Sequence, residues 1–322
     1  MSGPVLITGA EGFVGGHLRA LLTTEGLPIV AWRRPRSDVP PHRAPTPASE
    51  HVTWLSVDVL DRRAVLDGIA TLRPAVIYHC AGAAHVGSSW DRVAATFEIN
   101  ALGTHHVIEA MRVSGLDARL LIPGSALIYR PSSEAIPEDH PLGPSSPYGL
   151  SKLVQELLGA RAAGTDDLAV LLARAFTHVG PGQDASYAAS GFAQQIARIE
   201  AGHAEPVIRT GNLAARRDLT DVRDTVRAYR LVMDRGQPGR AYNVCSGRAY
   251  PISDVLDTLL AHAQAEIRIE SDPSRYRPND TPVLLGDPGR LRDELGWTPS
   301  IPLERTLADL LTYWRARVRT GC

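Results

Sequence analysis

The chain has 322 residues, 44% of them hydrophobic and 21% charged, enough for one large α/β core carrying a lobe. A net charge of −1 leaves no basic field for nucleic acid, and no apolar run reaches the ~18 residues of a membrane span. Cys80, Cys245 and Cys322 are odd in number and lack CxxC spacing, which argues against a disulfide framework and a structural zinc site. With no charged-then-apolar leader at its start, the chain is expected to be cytosolic and to hold no metal.

Val5-Leu6-Ile7-Thr8 reads as a short buried parallel strand. Gly9, Gly12 and Gly15 follow at once, with Phe13 and Val14 between them, and Leu18, Leu21 and Leu22 then fall at helical spacing. Strand, glycine turn and helix in that order point to dinucleotide binding. Gly9 permits the tight turn, Gly12 lets backbone approach a pyrophosphate at the helix N-terminus, and Gly15 lets helix and strand pack closely.

Ile29 to Trp32 is the second strand. An NAD-specific fold would place Asp or Glu at its end, to accept from the ribose 2′-hydroxyl. Here Arg33 and Arg34 stand there, and a guanidinium suits a 2′-phosphate, so NADPH is expected over NADH. A proline-rich loop from Pro35 to Glu50 follows. Val52 to Ser56 is the third strand, and Asp58 and Val59 stand where such folds clasp adenine. Ala75 to Cys80 is the fourth, and Cys80, Ala81 and Gly82 are small enough for a cofactor to lie close. His79 is expected to be a hydrogen-bonded strand histidine and not a catalyst. Trp90 to Val113 is helical, with Asn100 a poor mid-helix residue that kinks the helix or holds a water. Leu120 to Ile122 is the fifth strand, closed by Gly124 and Ser125.

The Pro- and Ser-rich loop from Pro131 to Pro147 delivers Tyr148 at a helix start, with Lys152 four residues on. Lys152 is the only lysine among 34 Lys+Arg. An ammonium is a compact point charge and a guanidinium a planar fork, so position 152 requires the former. On a helix, i and i+4 share a face, which puts phenol and ammonium in one small volume. A positive charge there is expected to lower the phenol's pKa and make it a general acid near neutral pH. Tyr-x-x-x-Lys alone is a common surface pattern; the lone lysine and the glycine motif set this instance apart.

Leu168 to Leu172 is a sixth strand, after which the βα rhythm weakens. Phe192 to Ile199 and Val222 to Met233 are helical, Ala241 to Val244 is a strand, and the remainder to Trp314 mixes short helices with proline breaks. The fold is therefore read as α/β: a Rossmann-type doubly wound parallel sheet with a smaller C-terminal α/β lobe. Residues 1–175 form the NADP-binding unit, with later segments returning to it. Residues 176–322 mainly form the lobe covering the carboxyl ends of the sheet.

Thr8 to Gly15, Ser125, and Tyr148 to Lys152 together resemble the extended short-chain dehydrogenase/reductases that act on nucleotide sugars. Within that family the C-terminal half is most similar to the GDP-4-keto-6-deoxymannose reductase and GDP-mannose 4,6-dehydratase subgroup. The stretches that carry this are Gly180 to Gln183, Gly211 to Leu213, Arg217 to Asp224, Tyr242 to Gly247, Arg277 to Asp280 and Leu285 to Asp287. The resemblance implies that Ser125, Tyr148 and Lys152 are the catalytic triad. It implies that Arg217 and Arg277 hold a diphosphate, bidentate arginine being its natural partner, and that Asp280 accepts from a nucleotide ribose. Tyr148 and Lys152 would also touch the cofactor, and Ser125 and Tyr148 the substrate. A homodimer or homotetramer is implied, with no nucleic-acid or membrane partner.

Two residues depart from the family's pattern. Dehydratases carry Glu two residues after the catalytic Ser/Thr, and epimerase-reductases Cys; this chain has Leu127, then Ile128. Neither accepts a proton, so elimination and ring epimerisation lose their base while ketone reduction does not need one. Thr177 stands where the family usually has Asn, offering one hydroxyl in place of an amide, which leaves the nucleobase open between GDP and dTDP. The expected reaction is NADPH-dependent reduction of a 4-keto-6-deoxyhexose on a nucleoside diphosphate. The alternatives are a nucleotide-sugar 4-epimerase, against which Arg33 and Arg34 speak, and a dinucleotide-binding regulator without chemistry.

Overall fold

The structure is a computed structural model that describes residues 3–35, 51–272, 274 and 281–320. Most of the proline-rich loop, and Arg277 and Asp280, lie outside the described residues.

β1 (Val5–Thr8) runs through the glycine turn into α1 (Phe13–Thr24). β2 (Ile29–Arg33), β3 (Val52–Ser56), α2 (Arg62–Leu72), β4 (Val76–His79) and α3 (Val93–Phe97) follow, then a π-helical turn, Glu98–Leu102, and α4 (Gly103–Val113). β5 (Arg119–Ser125) ends in a 3-10 turn, Ala126–Ile128, and leads to α5 (Pro147–Thr165) and β6 (Ala169–Ala175). Then come β7 (Thr177–Val179), α6 (Ala188–Glu200), β8 (Val207–Thr210), β9 (Arg216–Asp221), α7 (Val222–Arg235), β10 (Ala241–Val244) and β11 (Ala249–Pro251). The described chain closes with α8 (Ile252–Ala261), β12 (Arg268–Ser271), β13 (Val283–Leu284), α9 (Gly289–Leu295) and α10 (Leu303–Arg319).

Seven strands make one parallel sheet in the order β10-β6-β5-β4-β1-β2-β3. The strand order reverses between β1 and β4, the place where ligands bind in open α/β sheets. The central strands are continuous apolar runs because helices cover both faces. Val5, Ile7, Ala31 and Tyr78 pack towards α1 and α7, and Leu6, Val30, Ile77 and Leu120 towards α2, α4 and α5. A third core joins α6, α8 and α10 over β9. β10 pairs with β6 in the main sheet, and α7 packs on α1, so later segments return to the first unit.

Two sequence expectations need correction. The stretch from Trp90 to Val113 is not one helix: it starts at Val93 and carries the π turn around Asn100. The tail is not only short helices, since α10 runs for 17 residues and buries Leu307, Leu310, Leu311 and Trp314. Its prolines fall between elements, with Pro302 as N-cap, where the missing N–H costs nothing.

Candidate active site

At the glycine turn, Gly9 has φ +63°, and a Cβ there would lie 2.6 Å from the Ala81 nitrogen. At Gly15 a Cβ would lie 2.3 Å from the Gly9 carbonyl oxygen. No side chain fits at either place. Gly12 is the N-cap of α1 and offers no side-chain cap, so the helix's first N–H groups face the turn without a competing acceptor. Phe13 and Val14 open α1. This cradle fits a pyrophosphate at a helix N-terminus.

Both arginines at the end of β2 meet carboxylates. Arg33 Nη1 lies 3.7 Å from Glu11, its guanidinium stands 6.0 Å from the Trp54 ring, and its buried Nε has no partner. Arg34 lies 3.9 Å from Asp58 with 60% of its side chain exposed. Two guanidiniums beside the glycine turn, one with an orphaned N–H, fit a 2′-phosphate. Asp58 also accepts the Leu60 N–H at 3.0 Å, and the buried Val59 gives its carbonyl to His106 Nδ1 at 2.9 Å. Cys80 is partly exposed at the end of β4, and the Ala81 N–H donates to Thr8 Oγ1.

α5 begins where local chemistry dictates. Ser146 caps it by accepting the Gly149 N–H at 3.0 Å, and Pro147 occupies its first turn. Tyr148 is thereby the second helical residue. A Cβ on Gly149 would lie 2.4 Å from the Leu127 carbonyl oxygen, so only glycine lets α5 meet the 3-10 turn that carries Ser125 at its N-cap. Ser125 is buried at the end of β5 and hydrogen-bonds the Tyr148 phenol. Lys152 is buried one turn along and donates to the Pro123 carbonyl at 2.6 Å and to Gln155 Oε1. The structure brings Ser125, Tyr148 and Lys152 together at the carboxyl end of the sheet.

The expected lowering of the Tyr148 phenol by Lys152 is not found, and the phenol is raised instead. Burial pushes the Tyr148 phenol above its ordinary value, and the opposing pull comes from the Ser125 hydroxyl. Lys152 is itself brought down to about 8 by burial, against the pull of Cys80 and Glu156. Its ammonium is engaged by Pro123 and Gln155.

Several residues of the site were not legible as such. Asn100 neither merely kinks a helix nor calls for a water. The π turn aims its side chain so that Oδ1 accepts the Ala83 N–H at 2.8 Å and Nδ2 donates to Ser151 Oγ at 2.9 Å. Ser151 donates in turn to the Tyr148 carbonyl. Ser89 Oγ accepts the Tyr148 N–H at 3.3 Å. Arg174 on β6 is buried and holds Glu156 of α5 in a fork, 2.6 and 2.9 Å, while donating to the Tyr129 hydroxyl and the Glu138 carbonyl. His79 is, as expected, a packed strand histidine: it bonds Thr8 and Thr104, and burial brings it down to about 3, so it stays neutral. At position 127 the structure offers a leucine backbone bonded to Ser125, with Ile128 buried behind it.

In the lobe, Thr177 on β7 pairs in register with Leu219 on β9, and Arg217 shares that strand face two residues away. Arg217 Nη1 donates to the Thr281 carbonyl at 2.7 Å. The sequence motifs around Arg217 are mostly scaffold. Asp218 is buried and accepts from the N–H groups of Ser246, Gly247 and Gly286, which knits three of the quoted stretches together. Asp221 caps α7, and Asp224 accepts the N–H groups of Ser300 and Ile301. Two surface hollows of about 290 and 220 Å³ lie beside Arg230 and Arg198 and include none of the site residues.

A parallel sheet with a glycine turn after β1, and Ser, Tyr and Lys joined where β5 meets α5, defines a short-chain dehydrogenase/reductase of the extended, nucleotide-sugar type. The chain belongs to the family described as GDP-mannose 4,6 dehydratase, which matches residues 6–310. It is 34% identical to a GDP-6-deoxy-D-mannose reductase of Pseudomonas aeruginosa over 99% of each chain. It is 27% identical to a UDP-glucose 4-epimerase of Bacillus subtilis, covering 97% of this chain and 96% of that one. Among solved structures, it superposes on RMD from Pseudomonas aeruginosa complexed with NADPH, with a TM-score of 0.83 and 31% identity over 98% of this chain and 100% of that one.

Proposed function

We propose that the protein reduces the 4-keto group of a nucleoside-diphosphate 4-keto-6-deoxyhexose with NADPH. Gly9, Gly12, Phe13, Val14 and Gly15 would cradle the pyrophosphate, Arg33 and Arg34 the 2′-phosphate, Asp58 and Val59 the adenine, and Cys80 and Ala81 would line the cleft. When bound, NADPH supplies the hydride for the carbonyl carbon. Tyr148 gives its proton to the carbonyl oxygen, and Ser125 hydrogen-bonds the same oxygen as charge develops there. Lys152 carries the positive charge beside Tyr148 and holds the cofactor's ribose. Thr177 and Arg217, with Arg277 and Asp280 from outside the described residues, would take the sugar nucleotide.

The observation that carries the reading is the combination at Tyr148 and Leu127. Burial keeps the phenol protonated at neutral pH, as a proton donor in a reduction must be. An epimerase needs the phenolate for its oxidative half-reaction, and a dehydratase needs a base where Leu127 stands. The similarity to a reductase over the full length supports the same direction.

The test is a screen of NADPH oxidation with GDP- and dTDP-linked 4-keto-6-deoxyhexoses. Turnover with one or both is expected; silence with every keto-sugar would leave a dinucleotide-binding protein without this chemistry. A homodimer or homotetramer is part of the proposal. Leu150 and Leu157 are 45% and 55% exposed, seven residues apart on α5, and Val93 of α3 and Leu102 of the π turn, elements that pack on α5, are exposed as well. Cys80 and Cys245 as free thiols suit a reducing cytosol, and no helix among the described residues is long and apolar enough to cross a membrane.

A further inference from the structure

Beneath the proposed catalytic residues runs a chain of buried polar side chains that the mechanism above does not use. Lys152 has three N–H groups. One goes to the Pro123 carbonyl and one to Gln155 Oε1. Gln155 is fully buried, and its other end is held too: Nε2 donates to Thr104 Oγ1 at 2.7 Å. The Thr104 hydroxyl donates its only proton to the Asn100 carbonyl at 2.6 Å. Towards Gln155 and His79 it therefore only accepts. That fixes the amide with its carbonyl facing the lysine, and it fixes His79 with its proton on Nε2, 3.0 Å from Thr104. His79 Nδ1 then accepts from Thr8 Oγ1 at 2.9 Å, and Thr8 Oγ1 accepts the Ala81 N–H. Every proton in the chain has one consistent place, and Thr8, His79, Thr104 and Gln155 are all buried.

We propose that Gln155 is a positioning residue for the reaction: its carbonyl, aimed by Thr104, holds one N–H of the Lys152 ammonium and leaves the third turned to the cleft. The proposal rests on the reading that Tyr148 and Lys152 carry the chemistry. A buried ammonium keeps its proton only where acceptors replace water. Pro123 and Gln155 are those acceptors, so removing one weakens the charge. The titratable groups that act on Lys152 are Cys80 and His79 from the end of β4 and Glu156 from α5, with Tyr229 of α7 behind Cys80 and Tyr148 one turn before Lys152 on α5. His79 is held neutral and Cys80 is pushed up to about 12, so neither changes charge where Lys152 does.

One lysine in 322 residues makes the test direct. Protein labelled with ¹³C at lysine Cε gives a single side-chain resonance, whose pH titration reports Lys152 without interference. In Gln155→Met the midpoint should fall by on the order of one pH unit, and the alkaline limb of kcat/KM should fall with it, costing about fivefold at pH 8. Gln155→Glu keeps an acceptor and should hold or raise both. Thr104→Val, which frees the amide without touching the lysine, should move both in the same direction as Gln155→Met, and it serves if the methionine variant does not fold. The proposal is overturned if both variants leave the lysine midpoint where it was, or if the midpoint moves and the limb does not. Failure of the catalytic reading shows separately, as normal turnover in Tyr148→Phe with the lysine titration unchanged.

Discussion

At the scale of single residues, function turns on which groups hold a proton. Tyr148 is kept protonated by burial, and in the proposed mechanism transfer of its proton to the substrate oxygen would be worth roughly 10²–10⁴ in rate. Tyr148→Phe should lose about that much kcat while NADPH still quenches or shifts the protein's fluorescence with a similar Kd; near-normal kcat would remove Tyr148 from the mechanism. In the proposed mechanism Lys152 acts only while charged. Its folded value of about 8 lies below the ordinary 10.5, so activity should fall as pH rises through about 8. Between those values the unfolded chain binds the proton and the folded one does not, so this group's contribution to stability rises with pH across that window. A rate profile flat to pH 10 would contradict the assignment. Tyr148, Lys152 and the three glycines were legible because their partners lie within one helical turn or one tight loop. Asn100 and Arg174 were not, because their partners lie on distant segments and no local period marks them, and Gln155 was not, because its role depends on Thr104, 51 residues away. The direction of the Tyr148 shift was missed for a related reason: spacing reveals a nearby charge, but burial is a property of the whole fold.

At the scale of elements, α5 is the piece that must be placed correctly. Its start is set by Ser146, Pro147 and Gly149, its second turn is tied to Asn100 through Ser151, and its third turn is tied to β6 through Glu156 and Arg174. That ion pair is buried on both sides, and removing one partner leaves an uncompensated charge. Arg174→Met should destabilise the fold by roughly 3–5 kcal/mol in denaturant unfolding. The double variant Arg174→Met with Glu156→Leu should recover much of that loss; a double variant as weak as the single would show that the pair's other bonds, to Tyr129 and Glu138, dominate. Gly149→Ala would push a methyl against the Leu127 carbonyl and should lower kcat more than Tm, since the contact sets the approach of Tyr148 to Ser125. This helix's start was legible from Pro147 and the polar loop before it. The sequence hid the π turn, which exists to aim Asn100 and has no compositional signature beyond a poorly placed asparagine.

At the scale of the molecule, the reaction needs the sheet's carboxyl edge and the lobe to face one another. β7 leaves β6 through Phe176 alone and pairs with β9, so a strand of the main sheet runs directly into the lobe. Asp218 holds that lobe's motifs in place, and Asp218→Ala should cost stability and substrate affinity together while sparing NADPH binding. The α/β order of the first half was readable from apolar runs and glycine turns. The lobe was not, because its strands are two to six residues long and are defined by pairing with distant segments. The central claim is net reduction without proton abstraction from carbon. It is tested most directly by following the loss of NADPH absorbance while quantifying the sugar product by NMR in the same sample. The account predicts one NADPH consumed for each keto-sugar converted. Sugar interconversion with no NADPH consumed would contradict it.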